Sequence, residues 1–201
     1  MKALRYLTAV LLLLTAGCSK EEDNTLPNQQ RRIISFLTGT LKLRTEAEAK
    51  DPSSDTENAL FYTEIGGNAY RWIVNYYEAD RDQRRAVDQG SVVRLTISAY
   101  LFEFRVIRPE TVPLLYTNDP KKAQVLENAG LDLSYWTFEP YVLKMGETSA
   151  ISALTDALWG CREGDQVELY TTYALGYGEK WMYAVDPQSP LALFFTVDAV
   201  E

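Results

Sequence analysis

From Tyr70 to the C-terminus, apolar and polar residues alternate in short runs divided by turn residues, the two-residue period of β-strands. Tyr70, Trp72, Val74 and Tyr76 fall on one side and Arg71, Ile73 and Asn75 on the other, predicting a half-buried strand. Asp88-Gln89-Gly90 turns the chain. Beyond it Val93, Leu95, Ile97, Ala99 and Leu101 share one face, while Arg94, Thr96 and Ser98 point outward. Phe138 to Met145 reads as a further short strand. Pro140, which has no N–H for a ladder, assigns it to an edge or a bulge. "REGDQVELYTT" is a tight turn leading into a strand at Val167–Thr171, and "LALFFTVDAV" (191–200) is the last strand.

The period changes in "TSAISALTDALWG", where Ile151, Leu154 and Leu158 stand at i, i+3 and i+7 with Ala150 and Ala157 beside them. Thr148 or Ser149 is the cap and Gly160 the stop, so the spacing predicts an amphipathic helix of about three turns. "NDPKKAQVLENAG" (118–130) predicts another, capped by Asn118 or Asp119, with Pro120 in its first turn and Gly130 at its end. Nearer the N-terminus, "NQQRRIISFLT" (28–38) predicts a short helix with Ile33, Ile34 and Leu37 on one face. "EAEAKDPSSDTEN" (46–58) reads as an exposed polar loop. Antiparallel strands wrapped on one amphipathic helix make an α+β domain over residues 60–201, preceded by a short helix and polar loop at 29–59.

The first 17 residues do not share this pattern. Lys2 and Arg5 open a basic start, Tyr6 to Leu14 is apolar, and Thr15, Ala16 and Gly17 lead to Cys18. The stretch is too short to span a bilayer and has the layout of a signal peptide. "LTAGC" resembles the bacterial lipobox, whose cysteine is acylated after cleavage; Thr15 stands where a leucine is usual, with Leu14 one step earlier. Cys18 is the expected lipid anchor, the membrane the expected partner, and the outer membrane the expected location. An ordinary secretory signal with an incidental cysteine is the alternative. "SKEED" (19–23) resembles the acidic export tag of surface lipoproteins in Bacteroides-like bacteria. It is equally the start of a charged, solvated tether over residues 18–28.

Composition adds mainly exclusions. Cleavage before Cys18 takes Lys2 and Arg5 from the 20 basic residues and leaves 18 against 28 acidic ones, a net charge of −10 that repels nucleic acid. With Cys18 acylated, Cys161 has no disulfide partner and reads as a small buried hydrophobe. The chain has no histidine, which removes Ser-His-Asp and Cys-His nucleophilic sites, histidine-ligated zinc and two-histidine iron centres. No metal site and no cofactor is expected.

The run from Tyr141 to Glu179 holds, in order, a strand ending near Gly146, a helix over Ser149–Trp159, the turn Gly160-Cys161-Arg162-Glu163-Gly164-Asp165, a strand at Val167–Thr171, and a loop ending in "LGYG" (175–178). This order resembles the FKBP-type peptidyl-prolyl isomerases, with their strand, helix, "GxxxGD/E" turn, strand and "YAYG" loop. "PQSPLALFFTVDAV" is similar to the family's "PPNSPLVFDVEL", with Phe195, Val197 and Ala199 facing inward. "GSVVRLTISAYL" (90–101) is similar to its "GDxVxVHYTGxL". The resemblance covers about residues 70–201. It implies an FKBP-like fold in which a curved antiparallel sheet wraps one helix.

It also implies a pocket. Ile151 matches the isoleucine at the helix start whose backbone amide holds the substrate carbonyl, and Tyr177 the loop tyrosine that donates a second hydrogen bond. Tyr141 falls at an aromatic wall, Phe195 at the phenylalanine of the last strand, and Tyr116 in place of the phenylalanine of "FDSS". Three positions depart from the family. The tyrosine of "HYTG" is Ile97, the aspartate of "FDSS" is Thr117, and the tryptophan of the floor is Leu154, unless Trp136, Trp159 or Trp181 reaches in from elsewhere. The segment 102–137 is longer than the family needs and lies beside the pocket rim, as a flap or a cover. The expected partner is a proline-containing peptide or an unfolded envelope protein. The expected function is a prolyl isomerase or folding helper of the envelope with a degenerate pocket and weak or no activity. The alternatives are a non-catalytic FKBP-like binding module and a structural accessory of a surface complex.

Overall fold

A computed structural model describes residues 26–53, 56–108, 114–147, 151–182 and 185–201. The expected signal peptide at 1–17 and the anchor Cys18 lie outside the described residues. In chain order the helices are α1 (Leu26–Ser35), α2 (Glu46–Ala49), α3 (Ala123–Asn128) and α4 (Ser152–Leu158). The strands are β1 (Arg44–Thr45), β2 (Phe61–Ile65), β3 (Ala69–Ile73), β4 (Val92–Leu101), β5 (Leu114–Thr117), β6 (Tyr141–Lys144), β7 (Gln166–Thr171) and β8 (Leu191–Val200). One curved, unclosed sheet takes the order β1-β2-β3-β7-β8-β4-β5. Its pairings are antiparallel apart from β1 with β2. The expected α+β class is the observed one.

β4 is bordered by β8 along one edge, while the other edge is divided. Val92 to Leu95 pair with β6, and Ser98 to Tyr100 pair with β5. The gap is closed by a side chain. Asn118, fully buried, accepts the Ile97 N–H at 2.6 Å and donates to the carbonyls of Leu95 and Glu139 at 2.8 and 2.9 Å. It thereby satisfies backbone groups that have no strand beside them. The helix predicted at 118–130 is therefore capped by Asp119, which accepts from Lys121 N at 3.0 Å, and not by Asn118. It opens with a 3₁₀ turn at Pro120–Lys122 before α3.

α4 lies in the concave face, where Ala153, Leu154, Ala157 and Leu158 pack on Val93, Leu95, Ile97, Leu169, Leu193, Phe195 and Val197. It is two turns long, shorter than the apolar spacing suggests. Ile151 occupies the cap position without a capping side chain. The predicted caps Thr148 and Ser149, and Ala150 beside them, lie outside the described residues. Gly160 follows the last turn at a φ of +80°, and the Arg71 guanidinium donates to the carbonyls of Ala157 and Trp159. A second cluster closes the convex face. There Ile33, Phe36 and Leu37 of α1 and the π-helical turn after it cover Tyr62, Tyr70, Phe102, Tyr170 and Ala192.

Several expectations change with this architecture. The helix begins at Leu26, so it takes up the last residues assigned to the tether. β3 ends at Ile73 and is covered on both faces, with Tyr70 in the convex cluster and Ala69 and Ile73 in the concave one. Val74 opens the following turn, 38% exposed. Ala199 does not face inward. Arg94 pairs with Ala199 but Leu95 with Val197, so Asp198 is the extra residue of a bulge and Val200 takes the buried place. The polar loop at 46–58 starts with a helical turn whose capping box pairs Thr45 with Glu48, the "TEAE" signature.

Candidate functional site

A cavity of about 180 Å³ opens between the N-terminal end of α4 and the concave face, lined by Ile97, Ala99, Tyr116, Tyr141, Ile151, Leu154, Tyr177 and Leu193. Each element delivers its residue by strand or helix period. Ile97 and Ala99 stand two apart on β4 and so share one face of it. Ala99 pairs with Tyr116 across to β5, and Leu95 pairs with Tyr141 on β6. Ile151 and Leu154 are one turn apart at the start of α4, with Leu154 N–H bonded to Ile151 O at 3.1 Å. Tyr177 comes from the β7–β8 connection, in a turn that follows a 3₁₀ turn at Tyr173–Leu175 and closes with Gly178 N–H on Tyr173 O at 2.9 Å. Gly178 has a φ of +68°, a conformation glycine adopts without a Cβ clash.

Six of the eight residues assigned to the pocket from sequence stand together in this lining: Ile97, Tyr116, Tyr141, Ile151, Leu154 and Tyr177. Phe195 and Thr117 stand elsewhere. Phe195 is packed in the core two residues further along the same face of β8, and Leu193 takes the place at the cavity. Superposing "SPLALFF" on "SPLVFDV" by the shared Ser-Pro-Leu puts Leu193 under the family's phenylalanine, a signal present in the sequence but passed over for the more obvious aromatic. Thr117 follows Tyr116 and so points to the opposite face, where it is buried and bonded to Ser98 at 2.8 Å. Ala99 is the other lining residue that sequence reasoning did not single out. None of the three tryptophans replaces the floor. Trp136 stacks on Tyr116 with ring centroids 6.1 Å apart, outside the lining, and Trp159 and Trp181 are exposed. Leucine is the floor.

The electrostatics are those of neutral donors in an apolar hollow. Burial pushes the Tyr177 hydroxyl above its ordinary pKa, and neighbouring Tyr141 adds to the shift; the same two causes raise Tyr116. Both therefore keep their protons at physiological pH and can donate. Among the described residues the Tyr177 hydroxyl has no hydrogen-bond partner, so its donor is available to a group entering the cavity. The volume suits one ring-sized apolar group, since an apolar cavity of about 150 Å³ holds benzene.

The turn that brings α4 back to β7 is held by a buried ion pair. Arg81 donates through Nε and Nη2 to both Asp165 oxygens at 2.8 and 2.7 Å, and Asp165 also accepts from Arg162 N at 2.8 Å. Fork-to-carboxylate geometry of this kind fixes position as well as charge. The pair fixes where α4 ends; it does not touch the cavity.

Residues 122–199 match the family model described as FKBP-type peptidyl-prolyl cis-trans isomerase. That span includes Tyr141, Ile151, Leu154, Tyr177 and Leu193 of the lining, while Ile97, Ala99 and Tyr116 precede it. Among solved structures, the chain is similar to the three FKBP domains of wheat FKBP73. The identity is 15% and the TM-score 0.51, over 71% of this chain and 51% of that one, so it spans about half of that protein. It is also similar to the N-terminal domain of FKBP42 from Arabidopsis thaliana, at 12% identity and a TM-score of 0.47, over 75% of this chain and 96% of that one. No curated protein matches the sequence. The matched segment, the wheat likeness and the order of strands around α4 agree: the chain has an FKBP-like fold, and its residues 122–199 match the FKBP-type family model.

Proposed function

We propose that this protein is a lipid-anchored folding helper of the cell envelope whose FKBP-type pocket takes a proline from a peptide or an unfolded envelope protein, with weak or no acceleration of its isomerisation. The observation that carries the reading is the apolar cavity with a protonated Tyr177 hydroxyl in its wall, without a hydrogen-bond partner among the described residues. Prolyl isomerisation must cross an amide barrier of about 18–20 kcal/mol and breaks no bond. An apolar pocket lowers that barrier by desolvating the amide and holding the twisted form more tightly than either planar one. No nucleophile, metal or general acid is needed, which suits a chain without histidine.

Weak catalysis follows from the floor. Tryptophan is the family residue where Leu154 stands, and a large aromatic of this kind buries roughly 150–250 Å². Leucine offers less flat surface against a proline ring, so the twisted amide is held less firmly. The polar residue expected beside Tyr116 faces the other way, as Thr117. The second reading, a module that binds proline segments without turning them over, is favoured by the same two features. The anchor rests on the "LTAGC" string and the short apolar stretch before it.

The test is isomerisation of a short Xaa-Pro peptide by the whole chain in detergent, beside Tyr177→Ala. Binding that Tyr177→Ala weakens, with little or no acceleration, supports the reading. Strong acceleration that disappears in the variant replaces it with a fully active isomerase, and absence of both binding and acceleration ends it. Mass spectrometry of the N-terminal peptide tests the anchor: an acylated Cys18 supports it and an intact residue 1–18 segment removes it.

A further inference from the structure

Tyr177 is carried by the β7–β8 connection, residues 172–190, which closes partly on itself: Gly176 N–H bonds to Thr172 O at 3.2 Å and Gln188 N–H to Gly178 O at 3.0 Å. Both ends of this connection are also bound to α1, more than 140 positions away in sequence. Gln29, 1% exposed, accepts the Tyr173 N–H through Oε1 at 3.1 Å and donates through Nε2 to Gln188 O at 2.7 Å. A single side-chain amide thus spans the two ends. Gln188 itself has a φ of +60°, a backbone conformation a non-glycine residue keeps only when its surroundings hold it there.

The next residue reinforces the tie. Gln30 donates through Nε2 to Gly67 O at 2.7 Å and to Asn68 Oδ1 at 3.2 Å. Asn68 in turn accepts the Thr172 N–H at 2.9 Å and the Thr172 hydroxyl at 3.0 Å. The start of the Tyr177 connection is therefore held to α1 twice, once directly and once through the β2–β3 turn. Glutamine is the side chain this needs, since it presents one acceptor and two donors at the required separation; glutamate lacks the donor and methionine lacks both.

We propose that Gln29 is a positioning residue for the pocket: by joining Tyr173 to Gln188 it sets the conformation of the connection that presents Tyr177. α1 lies before the family-matched segment 122–199, so the cavity of this chain depends on an element outside that segment. The claim about affinity rests on the reading of the cavity as a proline pocket; the claim about the connection does not.

The experiment uses the whole chain in detergent and measures amide hydrogen exchange at Gly176, Gly178 and Gln188, which Gln29 does not bond through their N–H groups. Gln29→Met keeps the volume and removes both hydrogen bonds. Exchange at those amides rises about tenfold, the effect of losing roughly one to two buried hydrogen bonds, and affinity for an Ala-Leu-Pro-Phe peptide falls. Ile33→Val, which trims the same helix without touching the clamp, lowers Tm but leaves those amides unchanged. Unchanged exchange in Gln29→Met, or an equal rise in Ile33→Val, overturns the proposal. Faster exchange in Gln29→Met with no peptide binding even by the wild type supports the clamp and overturns the pocket reading instead. Should Gln29→Met fail to fold, Gln29→Glu retains the acceptor for Tyr173: faster exchange at Gln188 supports the proposal and unchanged exchange there overturns it.

Discussion

The two faces of one sheet are closed in opposite ways. On the convex side rings interlock: Phe36 meets Phe102 at 5.1 Å and Tyr170 at 5.4 Å, both edge-on, and Tyr62 meets Tyr70 at 6.0 Å. On the concave side the core is mostly aliphatic and the covering helix is short. Seven residues of α4 make a rod of about 10 Å, whereas the ten-residue strands β4 and β8 run about 33 Å. α4 cannot cover that length, and the Tyr177 connection covers part of the rest. The cavity lies where the two covers meet. A helix too short for its sheet leaves a gap in its cover; on the convex side Phe36, just past the longer α1, seats among the rings of the strands and fills the centre of the cluster.

Breaking the concave side at its anchor has the largest effect. Arg81→Ala leaves Asp165 buried without its cation and lowers stability by about 3–5 kcal/mol, measured as a fall in the midpoint of denaturant unfolding. Truncation then separates the faces. Phe36→Ala opens a new void among packed rings and costs about 3–5 kcal/mol, while Leu154→Ala, at the wall of an existing cavity, stays near the low end of the range for such changes, about 2 kcal/mol. Equal costs would show that the cavity is not open in solution.

Enlargement sharpens the contrast from the other direction. Ala192 is fully buried in the convex cluster, so Ala192→Leu overpacks it at about 1–3 kcal/mol. Leu154→Trp instead grows into the cavity and costs less than about 1.5 kcal/mol, while raising the isomerisation rate above wild type by restoring a flat floor. A stable Leu154→Trp protein with no gain in rate would show that the floor is not what limits catalysis.

How far the sequence discloses this contrast depends on what each signal measures. Period and punctuation place β4, β8, α4 and the Gly160 and Gly164 turn, because those signals are local. They cannot choose between Leu193 and Phe195, two residues apart on one strand face, nor see the Asp198 bulge that buries Val200 in place of Ala199. The Ile33 and Leu37 stripe announces that α1 packs on something, but the partners Tyr62, Tyr70, Phe102 and Tyr170 come from four separate strand or loop segments. The Arg81–Asp165 pair and the Gln29 clamp join residues 84 and 144 or more positions apart, with no local pattern to mark either. Asn118 looks like a cap by spacing, yet is needed to close the divided edge of β4.

Smaller effects come from charge. Glu168 lies on the convex face beside Tyr170, whose hydroxyl donates to it; burial raises its pKa and the Tyr170 hydrogen bond only partly offsets this. A carboxyl whose folded-state pKa lies above its unfolded value costs stability above that pKa, and the cost disappears as pH falls through it toward the ordinary carboxylate range. Glu168→Gln keeps an acceptor for Tyr170 and removes the charge, so Tm rises by roughly 2 °C at neutral pH. The gap to wild type then narrows on acidification. A gap that widens as pH falls would mean that the native state favours the charged form.

The pocket itself gives the smallest response, by the same physics: burial disfavours the anion, but a tyrosine already carries its proton at neutral pH. Tyr177 and Tyr116 are neutral when protonated, and burial raises both pKa values, so the folded state holds their protons more firmly than the unfolded chain. Binding through the Tyr177 O–H is lost only as pH climbs through that raised value, above the ordinary tyrosine range near 10. With no histidine in the chain, no side chain has an unperturbed pKa close to neutrality. Affinity for a capped Xaa-Pro peptide therefore stays flat between about pH 6 and pH 8.5, even as Glu168 makes overall stability vary. A break in binding near neutral pH would place an ionising group in the cavity wall, and the neutral-donor account of Tyr177 would give way to one built on charge.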